Sequence, residues 1–208
     1  MKKSKRIKKS NSWKIKQHRD QFFKKSKTLG YRSRASFKLI ELNKKYKFIK
    51  RNTNLLDLGS CPGGWTQVAS QIIKAGKIMS LDIKDMMPIK NVKFLKGDVL
   101  DSRTKLEIRS YFNENLDVIL SDMAADTTGN KSLDSIRTNQ LCSDVIQFSK
   151  EMLKPKGVLV SKIFMGEDFI EVKNLAKSVF KKVNFFKPES SRKESKETYL
   201  HCEILNSL

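Results

Sequence analysis

A strand that stops on glycine and restarts as a helix is the feature around which the rest of this chain must fold. Leu55 to Leu58 is an apolar run with the length of a buried strand. Gly59 ends it, and Cys61-Pro62-Gly63-Gly64 makes a tight turn. After Trp65 the apolar residues Val68, Ala69, Ile72 and Ile73 recur at helical spacing. In an open α/β sheet a strand–glycine turn–helix unit forms a nucleotide-type ligand site at the carboxyl end of the first strand. Glycine is needed there because the backbone turns sharply and a ligand must approach it with no Cβ in the way.

The turn narrows the ligand. A dinucleotide fingerprint reads G-x-G-x-x-G; counted from Gly59 its middle glycine position is Cys61, so the fingerprint is broken. A phosphate loop of the form G-x-x-x-x-G-K-[ST] is also missing from the sequence. A glycine turn without a pyrophosphate cradle suits S-adenosylmethionine (SAM), which carries adenosine and an amino acid but no phosphate. The alternative is a turn that binds nothing, and the acids that follow weigh against it. Ile78 to Asp82 is a second strand ending in an acid, 23 residues after Gly59, close to the roughly 20-residue spacing of a ribose-holding carboxylate. Val92 to Asp98 is a third, with Asp98 placed to accept from an adenine amino group, and Leu116 to Asp122 is a fourth. One strand-end Asp is ordinarily a turn or helix cap; three in successive βα units after one glycine loop are harder to read that way.

Charge bounds the partner. The chain of 208 residues carries 43 Lys and Arg against 22 Asp and Glu, a net charge of +21. An AT-rich coding bias inflates lysine but does not remove acids, so the excess points to an anionic polymer, most simply nucleic acid. Cys61, Cys142 and Cys202 form no C-x-x-C pair, and with only His18 and His201 there is no zinc-ligand spacing. Reduced thiols and a cytoplasmic location are therefore expected. No segment has the roughly 18 apolar residues of a membrane span, and the N-terminus lacks a signal-peptide apolar region. Residues 1–19 hold nine basic residues and no acid. This composition also fits a mitochondrial transit peptide, but clustered lysine rather than spaced arginine favours an RNA-contacting arm.

The organisation expected is a basic, disordered tail over 1–11 and a single domain over 12–208. Trp13, Ile15, Phe22 and Phe23 mark where order begins. Ser33 to Tyr46 reads as an amphipathic helix with Ser33 as N-cap and Phe37, Ile40, Leu42 and Tyr46 as anchors. Strands are predicted near 54–58, 77–82, 92–96, 116–121, 157–163, 182–187 and 198–205, and helices near 64–74, 101–112, 134–153 and 167–180. Lys154-Pro155-Lys156-Gly157 reads as a turn before the fifth strand. The alternation predicts an α/β fold, a mostly parallel sheet with helices on both faces.

Four ionisable residues fall where this architecture gathers side chains. Lys38 is on the first helix, Asp122 ends the fourth strand, Lys162 interrupts the apolar fifth strand, and Glu197 precedes the last. A lysine near the end of a buried parallel strand is costly without a partner or a role. The alternative is a lysine that snorkels to the sheet's edge, but carboxyl strand ends are where α/β enzymes place chemistry, which favours a functional role.

With these residues in place the chain resembles the FtsJ family of SAM-dependent ribose 2′-O-methyltransferases. The resemblance runs from about residue 12 almost to the end. It rests on Gly30 to Leu39, Asp57-Leu58-Gly59 with Pro62 to Trp65, Ser121-Asp122-Met123-Ala124, Lys162 with Phe164, Gly166 and Glu167, and Lys187 to Arg192 with Glu197. It implies a Rossmann-like methyltransferase fold with a seven-stranded sheet. It also implies a catalytic tetrad of Lys38, Asp122, Lys162 and Glu197, with Lys162 the proton acceptor, and SAM contacts at Gly63, Trp65, Asp82, Asp98 and Asp122. The implied substrate is a uridine ribose in 23S rRNA; the high charge and basic tail fit a large ribosomal subunit as the particle met, and a monomer is the default for a surface that must face a large RNA. Ser60-Cys61 and Ala125-Asp126 depart from the family's usual small or alanine residues and Pro-Asn, and neither removes a tetrad member.

In chemical terms a sulfonium donor requires alignment of oxygen, methyl carbon and sulfur. A ribose hydroxyl requires a base or a cation beside its developing charge. Burial and the Lys38 cation favour a neutral Lys162, whereas Asp122 and Glu197 oppose it. Arg32 and Arg34, next to Lys38, are expected to hold phosphates flanking the ribose. Alternatives within the chemistry are a tRNA anticodon loop or an mRNA cap. Outside it stand a non-catalytic ribosome-assembly factor, which needs no intact tetrad, and a nicotinamide oxidoreductase, which Cys61 disfavours.

Overall fold

The computed structural model describes residues 20–206 of the chain; the expected tail over 1–11, with Trp13 and Ile15, lies outside them. In chain order the elements are α1 (Gln21–Thr28), α2 (Ala35–Tyr46), β1 (Leu55–Leu58), α3 (Gly64–Ile72), β2 (Ile78–Asp82), β3 (Lys93–Lys96), α4 (Ser102–Phe112), β4 (Leu116–Ser121), α5 (Lys131–Met152), β5 (Leu153–Phe164), α6 (Phe169–Val179), β6 (Phe180–Phe186) and β7 (Glu197–Leu205). The seven strands form one sheet in the order β3-β2-β1-β4-β5-β7-β6. The β1–β2, β1–β4, β2–β3 and β4–β5 pairs are parallel, and β7 runs antiparallel to both β5 and β6. The strand order reverses between β1 and β4, so a crevice opens beyond their carboxyl ends.

Residues alternate between two cores because successive strand side chains point to opposite faces. Leu56, Leu58, Ile119, Leu159, Ile163 and Leu200 pack with α4, α5 and α6. Leu55, Val118, Leu120, Val160 and Tyr199 pack with α2 and α3 on the other face. All four residues of β1 are buried, Asp57 included, as befits a central strand covered on both sides.

Element boundaries differ from the sequence expectation where tertiary contacts intervene. Helix α1 was not anticipated; Asp20 caps it by accepting from the backbone N–H groups of Phe22 and Phe23 at 3.1 and 3.2 Å. Ser33 is not the cap of α2. The cap position is Arg34, with no side-chain capping bond, because the buried Ser33 hydroxyl lies against Gly64, where even a Cβ would collide with it. β5 starts at Leu153, directly after α5. The β4–β5 register runs Leu116 to Leu153 and then Val118 to Val158, so the turn residues Lys154 to Gly157 form a bulge inside the strand. No helix among the described residues is long and apolar enough to cross a membrane.

Candidate active site

Lys38, Asp122, Lys162 and Glu197 are brought together at the carboxyl end of the sheet as two ion pairs. Lys162 Nζ lies 2.8 Å from Asp122 Oδ1 and donates to the Asp122 carbonyl oxygen at 2.7 Å. Lys38 Nζ lies 2.7 Å from Glu197 Oε1. Tyr199 links the pairs: its hydroxyl donates to Asp122 Oδ1 at 2.6 Å, and Lys38 Nζ sits 5.6 Å from its ring centroid. The antiparallel register explains the assembly. Lys162 is directly opposite Tyr199 and Phe164 opposite Glu197, and Glu197 and Tyr199, two residues apart, share a face.

The electrostatics follow from burial. Burial alone raises the Asp122 pKa, but the Lys162 and Lys38 cations and the hydrogen bonds from Lys162 and Tyr199 hold it below the ordinary carboxylate value. Burial, reinforced by the Asp122 and Glu197 charges, pushes the Tyr199 phenol well above its ordinary value. Asp122 is thus a carboxylate and Tyr199 a neutral donor to it at pH 7.

One face of α2 grips the segment that carries Glu197. Arg34, Lys38 and Glu41 follow each other at helical spacing. The Arg34 guanidinium donates to the Ser190 carbonyl and pairs with Asp20. Glu41 accepts from the N–H groups of Glu189 and Ser190 at 2.6 and 3.0 Å. Ser191 then donates to Glu197 Oε1 at 2.8 Å.

The glycine turn forms the other half of the crevice. Gly63 has φ +101°, and a Cβ there would stand 2.9 Å from Met86 Sδ and 3.0 Å from Arg32 Nη1. Asp82 stiffens the turn: Oδ2 accepts from the Cys61 N–H and Oδ1 from the Lys84 N–H, both at 2.8 Å. Asp98 is exposed and accepts from the Leu100 N–H at 3.0 Å. Beside these acids Ile83 and Leu100 are 65% and 54% exposed, an apolar pair facing outward next to two carboxylates. Below them Asp57, bonded by the Thr66 hydroxyl at 2.5 Å, has its pKa raised by burial to about 7.

Trp65, Arg32 and Arg34 are each engaged within the chain. Trp65 is only 3% exposed; its indole N–H donates to the Ala35 carbonyl at 2.8 Å and its ring packs 5.5 Å from Tyr199. Arg32 is turned onto the carbonyls of Met87 and Pro88 at 2.5 and 2.7 Å, bracing the glycine turn. Arg34 is held by Asp20 and Ser190. The Arg32 guanidinium thus lies against the glycine turn and that of Arg34 at the start of α2. Tyr199, Glu41, Ser191, Ile83 and Leu100 were missed. Tyr199 was legible as Glu197 plus two in a strand, and Glu41 as Lys38 plus three in a helix. The others carry no local signal.

A profile of FtsJ-like methyltransferases matches residues 31–204. The ribosomal RNA large subunit methyltransferase E of Pelagibacter ubique is 45% identical over 196 residues, covering 94% of this chain and 97% of the relative. That of Rickettsia akari is 42% identical over 202 residues, covering 94% and 89%. Among solved structures, a Plasmodium falciparum protein described as a ribosomal RNA methyltransferase superposes with a TM-score of 0.75 at 32% identity, covering 84% of this chain and 98% of that one. A human methyltransferase-like protein 13 shares the fold at 17% identity, with a TM-score of 0.58 and coverage of 81% and 79%.

Proposed function

The chain belongs to the FtsJ-like methyltransferase family, and from that premise we propose that it methylates a ribose 2′-oxygen of large-subunit ribosomal RNA, with SAM as donor. The observation that carries this reading is the environment of Lys162. Of the three hydrogen-bonding positions on its nitrogen, Asp122 Oδ1 and the Asp122 carbonyl take two. Once its ammonium has released a proton to solvent, the Lys162 amine keeps both bonds and has its lone pair left for the ribose hydroxyl. Lys162 then accepts the 2′-hydroxyl proton as the oxygen–carbon bond forms, and Asp122 stabilises the ammonium so produced. The Lys38–Glu197 pair walls the same space and holds it to one geometry.

The crevice fits SAM. Asp82 suits ribose hydroxyls, Asp98 an adenine amino group, and the exposed Ile83 and Leu100 the faces of the ring. Gly63 and the Trp65 N–H suit the amino-acid end, which needs close backbone without a Cβ. When bound, SAM supplies a methyl group on a sulfonium, a good leaving group. The net charge of +21 supports a particle rich in phosphates, the large ribosomal subunit, as the substrate. Residues 12–208 act as one methyltransferase domain, a cytoplasmic monomer whose surface faces the RNA.

The test is tritium transfer from labelled SAM to undermethylated large subunits, wild type against Lys162→Ala. Label on a ribose 2′-oxygen, reduced about 10²–10⁴-fold in the variant with SAM binding retained, is the expected result. Transfer to tRNA but not to subunits would change the substrate, and SAM binding without transfer to any RNA would overturn the reading.

A further inference from the structure

Across Glu197 from the reaction centre lies a cleft that the chemistry above does not use. Met165, Phe169 and Phe185 supply its apolar lining, and its volume is about 670 Å³, within the ~300–1,000 Å³ range of small-molecule sites. The two rings lie 5.0 Å apart, tilted by 52°, and Met165 is 50% exposed. The rim is basic. Lys193 and Lys196 are exposed, and neither is ion-paired among the described residues. Lys187 donates to the Ser195 carbonyl at 2.7 Å, which fixes the rim without cancelling its charge. Opposing them are Glu194 and Glu197, the latter already neutralised by Lys38.

The cleft lies on the α6 side of the sheet and meets the tetrad, which lies on the α2 side, at Glu197. The Met165 N–H donates to the Lys196 carbonyl at 2.9 Å, Phe164 pairs with Glu197, and Glu197 borders both spaces. A ribose hydroxyl that enters the crevice has left its helix, so a neighbouring base has lost its stacking partners and needs a new apolar face. Aromatic rings give such a face to any base, and lysines beside them hold phosphates without reading sequence.

We propose that this cleft receives the base of an unpaired nucleotide adjacent to the methylated ribose, with Lys193 and Lys196 on its phosphates. The proposal rests on the reading of the chain as an RNA 2′-O-methyltransferase. A ribosomal protein segment would also meet an apolar floor, but the basic rim and the border shared with the tetrad favour the substrate RNA.

The experiment uses an rRNA fragment containing the mapped methylation site, as normal RNA and with an abasic residue on either side of the target. Met165→Ala and the double variant Lys193→Gln/Lys196→Gln are compared with wild type. Each should raise the RNA KM by about tenfold with kcat and SAM affinity unchanged. One abasic fragment should impair wild type by a similar factor and Met165→Ala no further. A 4-thiouridine at that position should crosslink within residues 165–169 or 185–196. Wild-type KM in both variants on the naked fragment, with methylation intact, would overturn the cleft assignment alone. Variants impaired on subunits but not on the fragment would overturn it in favour of a ribosomal protein. Absence of RNA methylation by wild type would instead remove the functional premise and the cleft with it.

Discussion

Tyr199 and Arg32 show how side chains outside the tetrad set its behaviour. The Tyr199 hydroxyl shares Asp122 Oδ1 with Lys162, so it fixes which way that carboxylate faces. Tyr199→Phe should lower kcat by about 10- to 150-fold, the worth of one hydrogen bond to a charged group at ~1.5–3 kcal/mol, without weakening SAM binding. An unchanged kcat in rapid-quench assays would remove Tyr199 from the positioning role. Arg32 braces the loop over Gly63 through Met87 and Pro88. Arg32→Ala should therefore raise the SAM Kd, by calorimetry, several-fold; a SAM Kd equal to wild type together with lost RNA affinity would restore the phosphate-holding role. Two buried residues give stability opposite pH dependences. Asp57 has a folded pKa of about 7 against an ordinary 3.8, so the folded state holds the extra proton and stability falls as pH rises across that window. His201, stacked on Tyr46 at 3.8 Å, has its pKa lowered by burial from 6.5 to about 4, so stability is lost as pH falls through that range. In urea titrations between pH 4 and 8, Asp57→Asn should abolish the first limb and His201→Phe the second.

Helix α2 matters as a clasp rather than as a carrier of one lysine. Its Arg34, Lys38 and Glu41 hold the segment from Glu189 to Glu197 at three points. Glu41 touches neither pair of the tetrad, yet it satisfies two backbone N–H groups of a segment whose Ser190 and Ser191 are buried. Removing it leaves the buried Ser190 N–H without its partner, at about 1–3 kcal/mol. Glu41→Ala should thus lower kcat by about tenfold and leave SAM affinity intact, with Glu41→Gln, which keeps acceptor oxygen, partly restoring it. Equal losses in both variants would point to charge rather than to positioning. The bulge at Lys154 to Gly157 is a second case of tertiary context overriding local pattern: Pro155 and Gly157 read as a turn, and the sheet absorbs them as extra residues in β5.

The whole molecule is an α/β sheet with one functional edge and a strongly basic surface. RNA association should weaken by at least 10²-fold between 50 and 200 mM salt as displaced counterions are lost, while SAM affinity stays constant; a salt-insensitive RNA Kd would contradict the electrostatic reading. The βα alternation, the glycine turn and the acids at the ends of β2, β3 and β4 were legible because periodicity, turn chemistry and strand ends are local properties. Lys162 was legible because a charge in an apolar run is anomalous wherever the strand lies. The pairings were decided elsewhere. Tyr199 reaches Asp122 across 77 residues and Glu41 reaches Glu189 across 148. Both depend on β7 entering antiparallel between β5 and β6, and strand order is settled by the packing of both sheet faces at once. The arginines illustrate the same division: their positions beside Lys38 follow from chain order, but the Met87, Pro88 and Ser190 carbonyls that engage them come from distant segments that only the folded chain brings within reach.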